Sequence, residues 1–409
     1  MTALDSPEAT PSRRGSAIEV LWVALWLGLT SFGGPVAHLG YFREEYVQRR
    51  RWLDDRAYAD LVALSQFLPG PASSQVGIAI GTARAGWLGG LLAWVGFTLP
   101  SAVAMALFAF GVTRFDLAGA GWLHGLKVAA VAVVANAVWG MAPGLAAGRV
   151  RGAIAIGAAC VVLLVPSSLA QIAVIAAGGV IGWRLLARPA GEAMAGDEAG
   201  DALPHGSRGV AAVLLVVFFA LLLGLPLLRS AVPSHVVAMV DVYYRVASLV
   251  FGGGHVVLPL LQAEVVPPGW VPADQFIAGY GAAQAVPGPL FSFAAFLGAV
   301  QGPSPNGWLG AAVALGAIYV PSFLLVWGVL PFWARLREVE AVQAASRGMG
   351  AVVVGVLIAA LYTPVWTSAI LGPADLALAL VCLGMLAVWR LPPWTVVAFA
   401  AAAGMLLAR

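Results

Sequence analysis

Charged residues are scarce in this sequence. Of its 409 residues, 22 are Lys or Arg and 19 are Asp or Glu, so 10% carry charge, where an average soluble domain has about 25%. Hydrophobic residues make up 61% of the chain. A soluble protein of this composition would have no surface suited to water. The composition therefore excludes an ordinary cytosolic enzyme, a disordered protein and, with a net charge of only +3, a nucleic-acid-binding module.

Cysteine and catalytic motifs are also lacking. The two cysteines, Cys160 and Cys382, lie inside apolar runs and indicate neither a disulfide framework nor a metal site. There is no HExxH helix, no Walker loop, no Ser-His dyad in a recognisable context and no Cys/His ligand set. We therefore expect no metal, no cofactor and no enzymatic activity, and an ATP-driven pump only if another subunit supplies the ATPase.

Long apolar runs are what the chain has instead, and they predict an all-α polytopic membrane protein embedded in a lipid bilayer. A polar tail, 1–16, precedes a first run that is too long for a signal peptide and lacks a cleavage site. Single crossings would give about thirteen transmembrane segments, at 17–40, 57–83, 86–112, 119–146, 150–166, 168–187, 209–228, 237–260, 273–302, 306–334, 341–363, 373–389 and 392–408.

Two of these runs are interrupted by a Pro-Gly-Pro sequence, at Pro69-Gly70-Pro71 and at Pro287-Gly288-Pro289. Each run is either one broken span or a re-entrant hairpin that returns to its starting side. The distribution of Lys and Arg is nearly even under both readings, so the positive-inside rule leaves the orientation open.

The chain contains an internal repeat. Phe32-Gly33-Gly34 recurs 219 positions later as Phe251-Gly252-Gly253, and the offset drifts by only a few residues along the halves. Further matches in the same order are Trp52 with Trp270, Gln66 with Gln284, Gly86-Trp87-Leu88-Gly89 with Gly307-Trp308-Leu309-Gly310, Pro100-Ser101 with Pro321-Ser322 and Gly125-Leu126 with Gly348-Met349. Chance does not supply such an ordered series, so the gene encodes a fused duplication.

The repeat predicts a division into a first transporter repeat at 17–187 and a second at 237–409. A polar linker at 188–208 and a connecting transmembrane helix at 209–228 separate them. Repeats of six passes would be inverted by the extra helix, and repeats of five would stay parallel. Interrupted spans at matching positions of two halves are typical of secondary transporters and point to the binding site.

The first interruption has the chemistry of an anion site. Pro71 is expected at the first helical position, where a missing N–H costs nothing. The next backbone N–H groups have no intrahelical partner, and at mid-membrane an oxyanion would satisfy them with help from the helix dipole. The side chains of Ser73, Ser74 and Gln75 add donors without charge.

The second interruption repeats this device with Gly288 and Ser292, so two inverted halves would aim two helix N-termini at one anion. Gln66 and Gln284, one turn before the breaks, are expected to close the site. The alternative is that each Pro-Gly-Pro is only a kink or a tight turn. Gly33, Gly34, Gly252 and Gly253 interrupt other spans and are candidates for gating, or simply for close helix packing.

Charged and titratable groups within the runs are few, and each is therefore a candidate for function. Lys127 either pairs with the anion or extends to the interface. Asp241 and Arg245, four residues apart, either take part in coupling or pair with each other. Arg43, Glu44, His38 and His255 are the remaining candidates for charge or proton coupling.

The first-half block is long and specific. It runs through Thr30-Ser31-Phe32-Gly33-Gly34-Pro35, His38-Leu39-Gly40-Tyr41-Phe42-Arg43-Glu44-Glu45, Trp52-Leu53-Asp54 and Gln66-Phe67-Leu68-Pro69-Gly70-Pro71-Ala72-Ser73-Ser74-Gln75. With Phe251-Gly252-Gly253-Gly254-His255 and Gln284-Ala285-Val286-Pro287-Gly288-Pro289, it resembles the chromate ion transporter family in its long, two-domain form.

The resemblance implies a multi-pass protein of the bacterial inner membrane that exports chromate, gives chromate resistance and has oppositely oriented halves. Its motif residues carry over onto Gly33, Gly34, Arg43, Gln66, Pro69, Gly70, Pro71 and Ser74. We expect a secondary transporter driven by the membrane potential or the proton gradient. A transporter or exchanger of sulfate or another oxyanion, and an anion channel, remain the alternatives, and a homodimer is open as an assembly.

Overall fold

The computed structural model describes residues 15–114, 121–165, 167–187, 207–251 and 254–407. Within these ranges the protein is built from helices and the loops that join them, with no strand. Two large cores hold it together. One is centred on residues 20–97, and the other on residues 102–134 together with the second half of the chain.

The helices are α1 Ala17–Thr30, α2 Gly34–Phe42, α3 Asp55–Phe67, α4 Ala72–Arg114, α5 Gly121–Leu145, α6 Arg149–Leu164, α7 Ser168–Leu185, α8 Arg208–Ala231, α9 His235–Leu249, α10 Val257–Val265, α11 Ala273–Ala283, α12 Phe293–Val300, α13 Gly307–Val329, α14 Trp333–Leu336, α15 Glu340–Ala360, α16 Thr367–Ala369, α17 Pro373–Ala387 and α18 Pro393–Leu407. Two π-helical segments, Arg43–Arg49 and Leu361–Trp366, continue α2 and α15. Three 3₁₀ turns lie at Gly254–Val256, Leu290–Ser292 and Leu330–Phe332.

Five helical stretches in the described residues are long and apolar enough to cross a bilayer: Ala72–Thr113, Gly121–Leu145, Arg208–Ala231, Gly307–Leu336 and Glu340–Ala369. Several shorter apolar helices accompany them. The expected thirteen single crossings do not appear as thirteen long helices. One reason is that glycine and proline stop the helix near the middle of two runs. The run at 17–40 is divided between the short helices α1 and α2, and the run at 57–83 between α3 and the start of α4.

Helix α4 folds back on itself. Its backbone leaves helical geometry at Ala85 and at Gly86, whose φ is +68°, so a first arm (72–84) and a second arm (87–114) pack side by side. Gly81 of the first arm lies directly against the backbone of Gly89 in the second, where no β-carbon would fit. Small residues are what permit such a close approach of two helices.

The second half contains the same hairpin as two separate helices. Gly298 of α12 lies directly against the backbone of Gly310 in α13. Gly310 is equivalent to Gly89, and Gly298 lies one residue before the position equivalent to Gly81. The duplication read from the sequence is therefore matched by a duplicated helix–helix contact.

The interrupted helix pairs of the first half double back. The N–H of Gly15, before α1, donates to the Arg84 carbonyl at 3.0 Å. Glu19 of α1 lies 3.3 Å from the Arg84 guanidinium and 3.9 Å from that of Arg50, after α2. The Arg84 guanidinium also lies 5.0 Å from the ring centre of Trp52, just before α3. The outer ends of α1, α2, α3 and the first arm of α4 therefore lie together, and their interrupted ends point away from this cluster.

Corresponding parts of the second half meet in the same way. His235, at the start of α9, packs edge-on against Trp270 with ring centres 4.5 Å apart, and its Nε2 lies 3.3 Å from the Gln301 side chain. The N–H of Gly302 donates to the Trp270 carbonyl at 3.0 Å. The loop before α11 and the link between α12 and α13 thus lie at the start of α9.

The second arm of α4 and helix α13 run antiparallel against each other. Trp87, at the start of the arm, stacks on Trp327 near the end of α13, with ring centres 4.7 Å apart. Phe110, near the end of the arm, contacts Trp308 at the start of α13 at 5.2 Å. These two equivalent helices form one of the contacts between the halves.

The last helices of each half pack on the other half. Gly404 of α18 lies against Gly125 of α5, and Gly182 of α7 lies against Gly348 of α15. Gly125 and Gly348 are equivalent positions of the repeat, so each half receives the last helix of the other at the same position. The halves are consequently interlocked, each completing the packing of the other.

Candidate functional site

The two Pro-Gly-Pro interruptions meet the other interrupted spans at the centre of the molecule. We refer to Pro69–Pro71 as the first turn and to Pro287–Pro289 as the second turn. The N–H of Gly70 donates to the carbonyl of Val250, at the end of α9, at 2.7 Å. The N–H of Gly288 donates to the carbonyl of Ser31, at the end of α1, at 2.9 Å. Ser31 and Val250 are equivalent positions, so each half holds the turn of the other through the same hydrogen bond.

Glycine is required in both turns. Gly70 has φ +118° and Gly288 has φ +98°, a region that residues with a β-carbon rarely adopt. A β-carbon on Gly70 would also lie 3.0 Å from Ser322 Oγ, and one on Gly288 would lie 3.0 Å from Ser101 Oγ. Ser101 and Ser322 are themselves equivalent, so one serine from the long helix of the opposite half faces each turn.

The break after α1 also depends on glycine. Gly33 has φ +97° and Gly34 has φ +77°, and Pro35 stands in the first turn of α2. This agrees with a role in interrupting the span. The equivalent Gly252 and Gly253 lie outside the described residues.

The first turn ends at the N-terminus of a helix. Pro71 was expected at the first position of the helix, but it lies one residue before α4, which begins at Ala72. The carbonyl of Pro71 accepts the first intrahelical hydrogen bond, from the N–H of Gln75 at 3.0 Å. The three N–H groups between them, on Ala72, Ser73 and Ser74, are those that a helix cannot satisfy internally. An anion at this position would also meet the positive end of the helix dipole.

Buried hydroxyl and imidazole groups surround this N-terminus. Ser73 Oγ lies 3.3 Å from His38 Nδ1, and Ser74 Oγ lies 3.5 Å from the Tyr319 hydroxyl. All four side chains are buried. The first turn therefore brings together Ser73, Ser74 and His38, which the sequence named, and Tyr319, which it did not.

Several buried polar atoms near the first turn lack a hydrogen-bond partner among the described residues. They are Gln75 Oε1, Ser322 Oγ and Ser31 Oγ. The donating end of the Gln75 amide is already used, because Nε2 donates to the Pro69 carbonyl at 2.6 Å. Gln75 therefore stabilises the turn, and the serine hydroxyls are the donors still available to a ligand.

The second turn is built differently. It leads into the 3₁₀ turn Leu290–Ser292, in which the Ser292 N–H already donates to the Pro289 carbonyl at 3.0 Å, and α12 begins only at Phe293. Leu290 and Phe291 are buried where the first turn has Ala72 and Ser73. Ser101, which faces this turn, donates its hydroxyl to the Thr98 carbonyl at 2.9 Å. At the start of its helix, the second turn consequently offers fewer free backbone N–H groups and hydroxyls than the first.

The two glutamines before the turns also differ. Gln66 has an exposed side chain, while Gln284, before Pro287, is partly buried and its Nε2 atom is buried without a partner among the described residues. His255, on the second-half break, lies 2.7 Å through Nδ1 from the Tyr280 hydroxyl. The paired arrangement expected from the sequence is thus present in the backbone and only partly in the side chains.

Lys127 lies away from the second turn. Its Nζ atom is 2.9 Å from Oδ1 of Asp274, which lies at the N-terminus of α11. The second turn, Pro287–Pro289, follows the C-terminus of that helix. With eleven residues in α11, the two ends are about 15 Å apart. The placement favours the alternative in which Lys127 acts near the interface.

Asp241 and Arg245 pair with each other at 2.9 Å within a larger buried cluster. Arg245 also contacts Glu264 at 2.7 Å, and Arg229 contacts Asp241 at 3.1 Å. Two cations thus balance two carboxylates, as buried charges require.

Arg43 and Glu44 lie at the surface. Arg43 pairs with Asp55 at 2.7 Å, and this hydrogen bond and charge raise the pKa of its guanidinium. The buried acid is the next residue, Glu45, which contacts Arg49 and Arg50 at 2.6 Å each. Glu45 is equivalent to the buried Glu264, a match that the repeat contained but that was not used to choose a candidate.

Tyr319 and Ser322 are the other functional candidates that sequence reasoning missed. The recurrence of Pro100-Ser101 as Pro321-Ser322 was a detectable signal for Ser322, although it served only as a marker of the repeat. Tyr319 has Thr98 at the equivalent position, so the repeat gave no signal for it. In the described part of the chain, no group of three or more His, Cys, Asp or Glu residues is placed to hold a metal ion.

Comparison with known proteins identifies the family. The family model described as chromate transporter matches two regions of the chain, residues 18–183 and 237–405. The chromate transport protein of Pseudomonas aeruginosa is 30% identical over 350 residues, covering 81% of this chain and 77% of that protein. The chromate transport protein of Cupriavidus metallidurans is 26% identical over 340 residues, covering 81% and 79%. No solved structure matches the chain. With both halves matched, the chain belongs to the chromate transporter family, in its long two-domain form.

Proposed function

We propose that this membrane protein is a secondary transporter that exports chromate across the bacterial inner membrane, and that chromate binds at the first turn. The observation that carries the proposal is the N-terminus of α4, where the first backbone N–H groups have no intrahelical partner and the buried hydroxyls of Ser73, Ser74 and Ser322 lie nearby. The family supports chromate as the substrate, since curated relatives are named chromate transport proteins.

The first turn is suited to bind an oxyanion and release it again. Chromate at neutral pH is largely a tetrahedral dianion, with four oxygens that each accept hydrogen bonds. Backbone N–H groups, hydroxyls and the dipole of α4 supply donors without a fixed positive charge. A lysine or arginine in direct contact would hold a dianion more tightly and slow its release, and Lys127 is already paired with Asp274.

We also propose that the two repeats are inverted and that their interrupted helix pairs are re-entrant hairpins. The antiparallel contact of the second arm of α4 with α13 supports the inversion. The clustering of Gly15, Arg50 and Arg84 supports hairpins that enter and leave on one side. The first repeat would then span 17–187 and the second 237–409, with α8 as the connecting helix.

The membrane potential is sufficient to drive export. Moving one charge through 100 mV is worth about 2.3 kcal/mol. A dianion therefore gains about 4.6 kcal/mol, which corresponds to a gradient of roughly 2,000-fold. Because the cell interior is negative, uncoupled transport moves chromate outward. The balanced ion pairs around Asp241 and the exposed position of Glu44 favour neither as a proton carrier.

The test is chromate flux into or out of proteoliposomes under a potassium-diffusion potential, with equal pH on both sides. We expect chromate to accumulate on the positive side, with saturable kinetics and with competition by sulfate. Protein-free liposomes and liposomes without valinomycin are the controls. Flux that needs a pH gradient or sulfate on the opposite side would show a coupled exchanger, and flux that does not saturate would show a channel.

A further inference from the structure

The two halves differ in how their third helix is covered. In the second half, α11 is buried from Phe276 to Ala283, and Gly281 lies directly against the carbonyl oxygen of Leu126 in α5. The backbones of α11 and α5 thus touch at one point. Leu126 is equivalent to Met349 of α15, and Gly281 is equivalent to Ala63 of α3.

The equivalent surface of the first half is open. Ala59, Ala63 and Gln66 of α3 are exposed, and their spacing places them on one face of the helix. This face leads to the first turn. Gln66 is exposed at the inner end of α3, whereas the equivalent Gln284 of the second half is partly buried.

A cavity separates α15 from the end of α3. Its volume is about 860 Å³, and its lining is apolar. Leu68 and Pro69 of the first turn lie on its wall, and so does Met349 of α15. The residue that would close on α3, by analogy with Leu126 on α11, therefore stands across this cavity.

One ion pair fastens the closed half. Lys127, the residue after Leu126, lies 2.9 Å from Asp274 at the N-terminus of α11. The equivalent positions in the other half are Gly350 and Arg56. Glycine has no side chain to offer, so this fastening belongs to one half only.

We infer that the structure is one of two end states of the protein. In this state α11 is covered by α5 and α3 is open, and the Lys127–Asp274 pair stabilises it; in the other state the covered and open helices are exchanged between the repeats. In the other state α15 closes on α3 and brings Met349 against Ala63, while α5 leaves α11 and opens a path to the second turn. The methyl group of Ala63 makes that contact wider than the one at Gly281. The inference rests on the proposed transport function and adds the motion that exposes the first turn to one side at a time.

The exchange is tested by two cysteine pairs introduced after Cys160 and Cys382 are replaced by serine. One pair is Lys127→Cys with Asp274→Cys, and the other is Ala63→Cys with Met349→Cys. We expect a short bifunctional maleimide to link either pair, and each link to stop chromate flux. In a protein that carries both cysteine pairs, linking the first pair should prevent Ala63→Cys from linking to Met349→Cys. The idea is wrong if Ala63→Cys and Met349→Cys never link, or if flux continues with either link complete.

Matched glycine and alanine variants test the same equilibrium without cross-links. Gly281→Ala places a β-carbon against Leu126 and should raise the linking rate of the Ala63–Met349 pair severalfold, as should Lys127→Gln. Gly140→Ala, in the same α5 with nothing within 4 Å, is the control and should leave the rate unchanged. An unchanged rate in both Gly281→Ala and Lys127→Gln would overturn the inference. Linking is measured without substrate, so it tests the exchange separately from transport. If the two pairs never linked in the same molecule but no chromate flux were found, the exchange would be supported and chromate would be refuted as the substrate.

Discussion

The first and second turns share a backbone and differ in chemistry. Each has a glycine of positive φ whose N–H donates to the end of a helix in the other half, and each faces a serine from a long helix. Around the first turn the following residues are Ala-Ser-Ser-Gln, and around the second they are Leu-Phe-Ser-Phe. The backbone arrangement is therefore present in both halves, whereas a run of polar side chains follows only the first turn.

This difference teaches where to look for the anion in a duplicated transporter. Two equal turns would suggest a site on the symmetry axis, with both helix N-termini aimed at one ligand. Here the second N-terminus is a 3₁₀ turn whose Ser292 N–H is already bonded, and Phe291 fills the space that Ser73 occupies in the first half. The comparison therefore favours one site beside the first turn, with the second turn as its support.

The largest effect is expected where the turns are alike. Gly70→Ala and Gly288→Ala each force a β-carbon into positive φ, which costs about 1–2 kcal/mol before any crowding. We expect both variants to lose most chromate flux and to melt at lower temperature in detergent. Gly111→Ala, in the second arm of α4 with nothing within 4 Å, is the matched control and should behave as wild type. If only Gly70→Ala lost flux, the two turns would not form a common frame.

The next effect should appear where the turns differ. Ser74→Ala removes a donor beside the proposed anion, and a hydrogen bond to a charged group is worth about 1.5–3 kcal/mol. Chromate affinity should fall about tenfold to a hundredfold. Ser292→Ala is the equivalent change in the second half, and it should alter chromate affinity by less than about threefold. The Ser292 hydroxyl is not beside the proposed anion, so its removal costs no hydrogen bond to a charged group.

Equilibrium binding of chromate to the purified protein measures both serine variants. The double variant should match Ser74→Ala alone. Equal losses in the two single variants would restore the symmetric site expected from the sequence, and no loss in the double variant would remove the anion from both turns.

A smaller and opposite pair of effects is expected at the two serines of the long helices. Ser322 Oγ is buried without a partner among the described residues, so Ser322→Ala should leave the empty protein as stable or more stable, by up to about 1 kcal/mol, and weaken chromate binding. Ser101 Oγ donates to Thr98, so Ser101→Ala should cost about 1 kcal/mol of stability and leave binding nearly unchanged. Melting with and without chromate separates the two. A loss of stability in Ser322→Ala would place its hydroxyl in a structural bond.

The class of the protein and its repeat were predictable because both are written in long patterns. Apolar runs of bilayer length and an ordered series of matches do not depend on any one contact. The glycines of the turns were predictable for a similar reason, since Pro-Gly-Pro restricts the backbone locally. Gly70 and Gly288 accordingly adopt the positive φ that only glycine tolerates well.

The side-chain partners that come from the other half were not predictable from the sequence. Ser74 lies near Tyr319, and Lys127 meets Asp274, through packing between elements far apart in sequence. The choice of Glu44 over Glu45 failed to anticipate burial for a related reason. Residues 43–49 form a π-helix, so the face turned inward does not follow the ordinary α-helical period.

The smallest effect is expected at Arg43. The two halves differ at this position, because the second half has Gln262 at the equivalent place. Arg43 and Asp55 are both well exposed, and exposed ion pairs contribute little to stability. Arg43→Gln, which imports the second-half residue, should therefore leave the melting temperature unchanged and chromate flux within about twofold. Asp55→Asn is the informative control, because it breaks the same pair and keeps the cation. If flux fell tenfold in Arg43→Gln alone, the charge itself would attract the dianion at the mouth of the first half, and the asymmetry between the turns would extend to the surface. If both variants lost flux equally, the pair would act by holding the start of α3 in place, and the difference between the halves would remain confined to the turns.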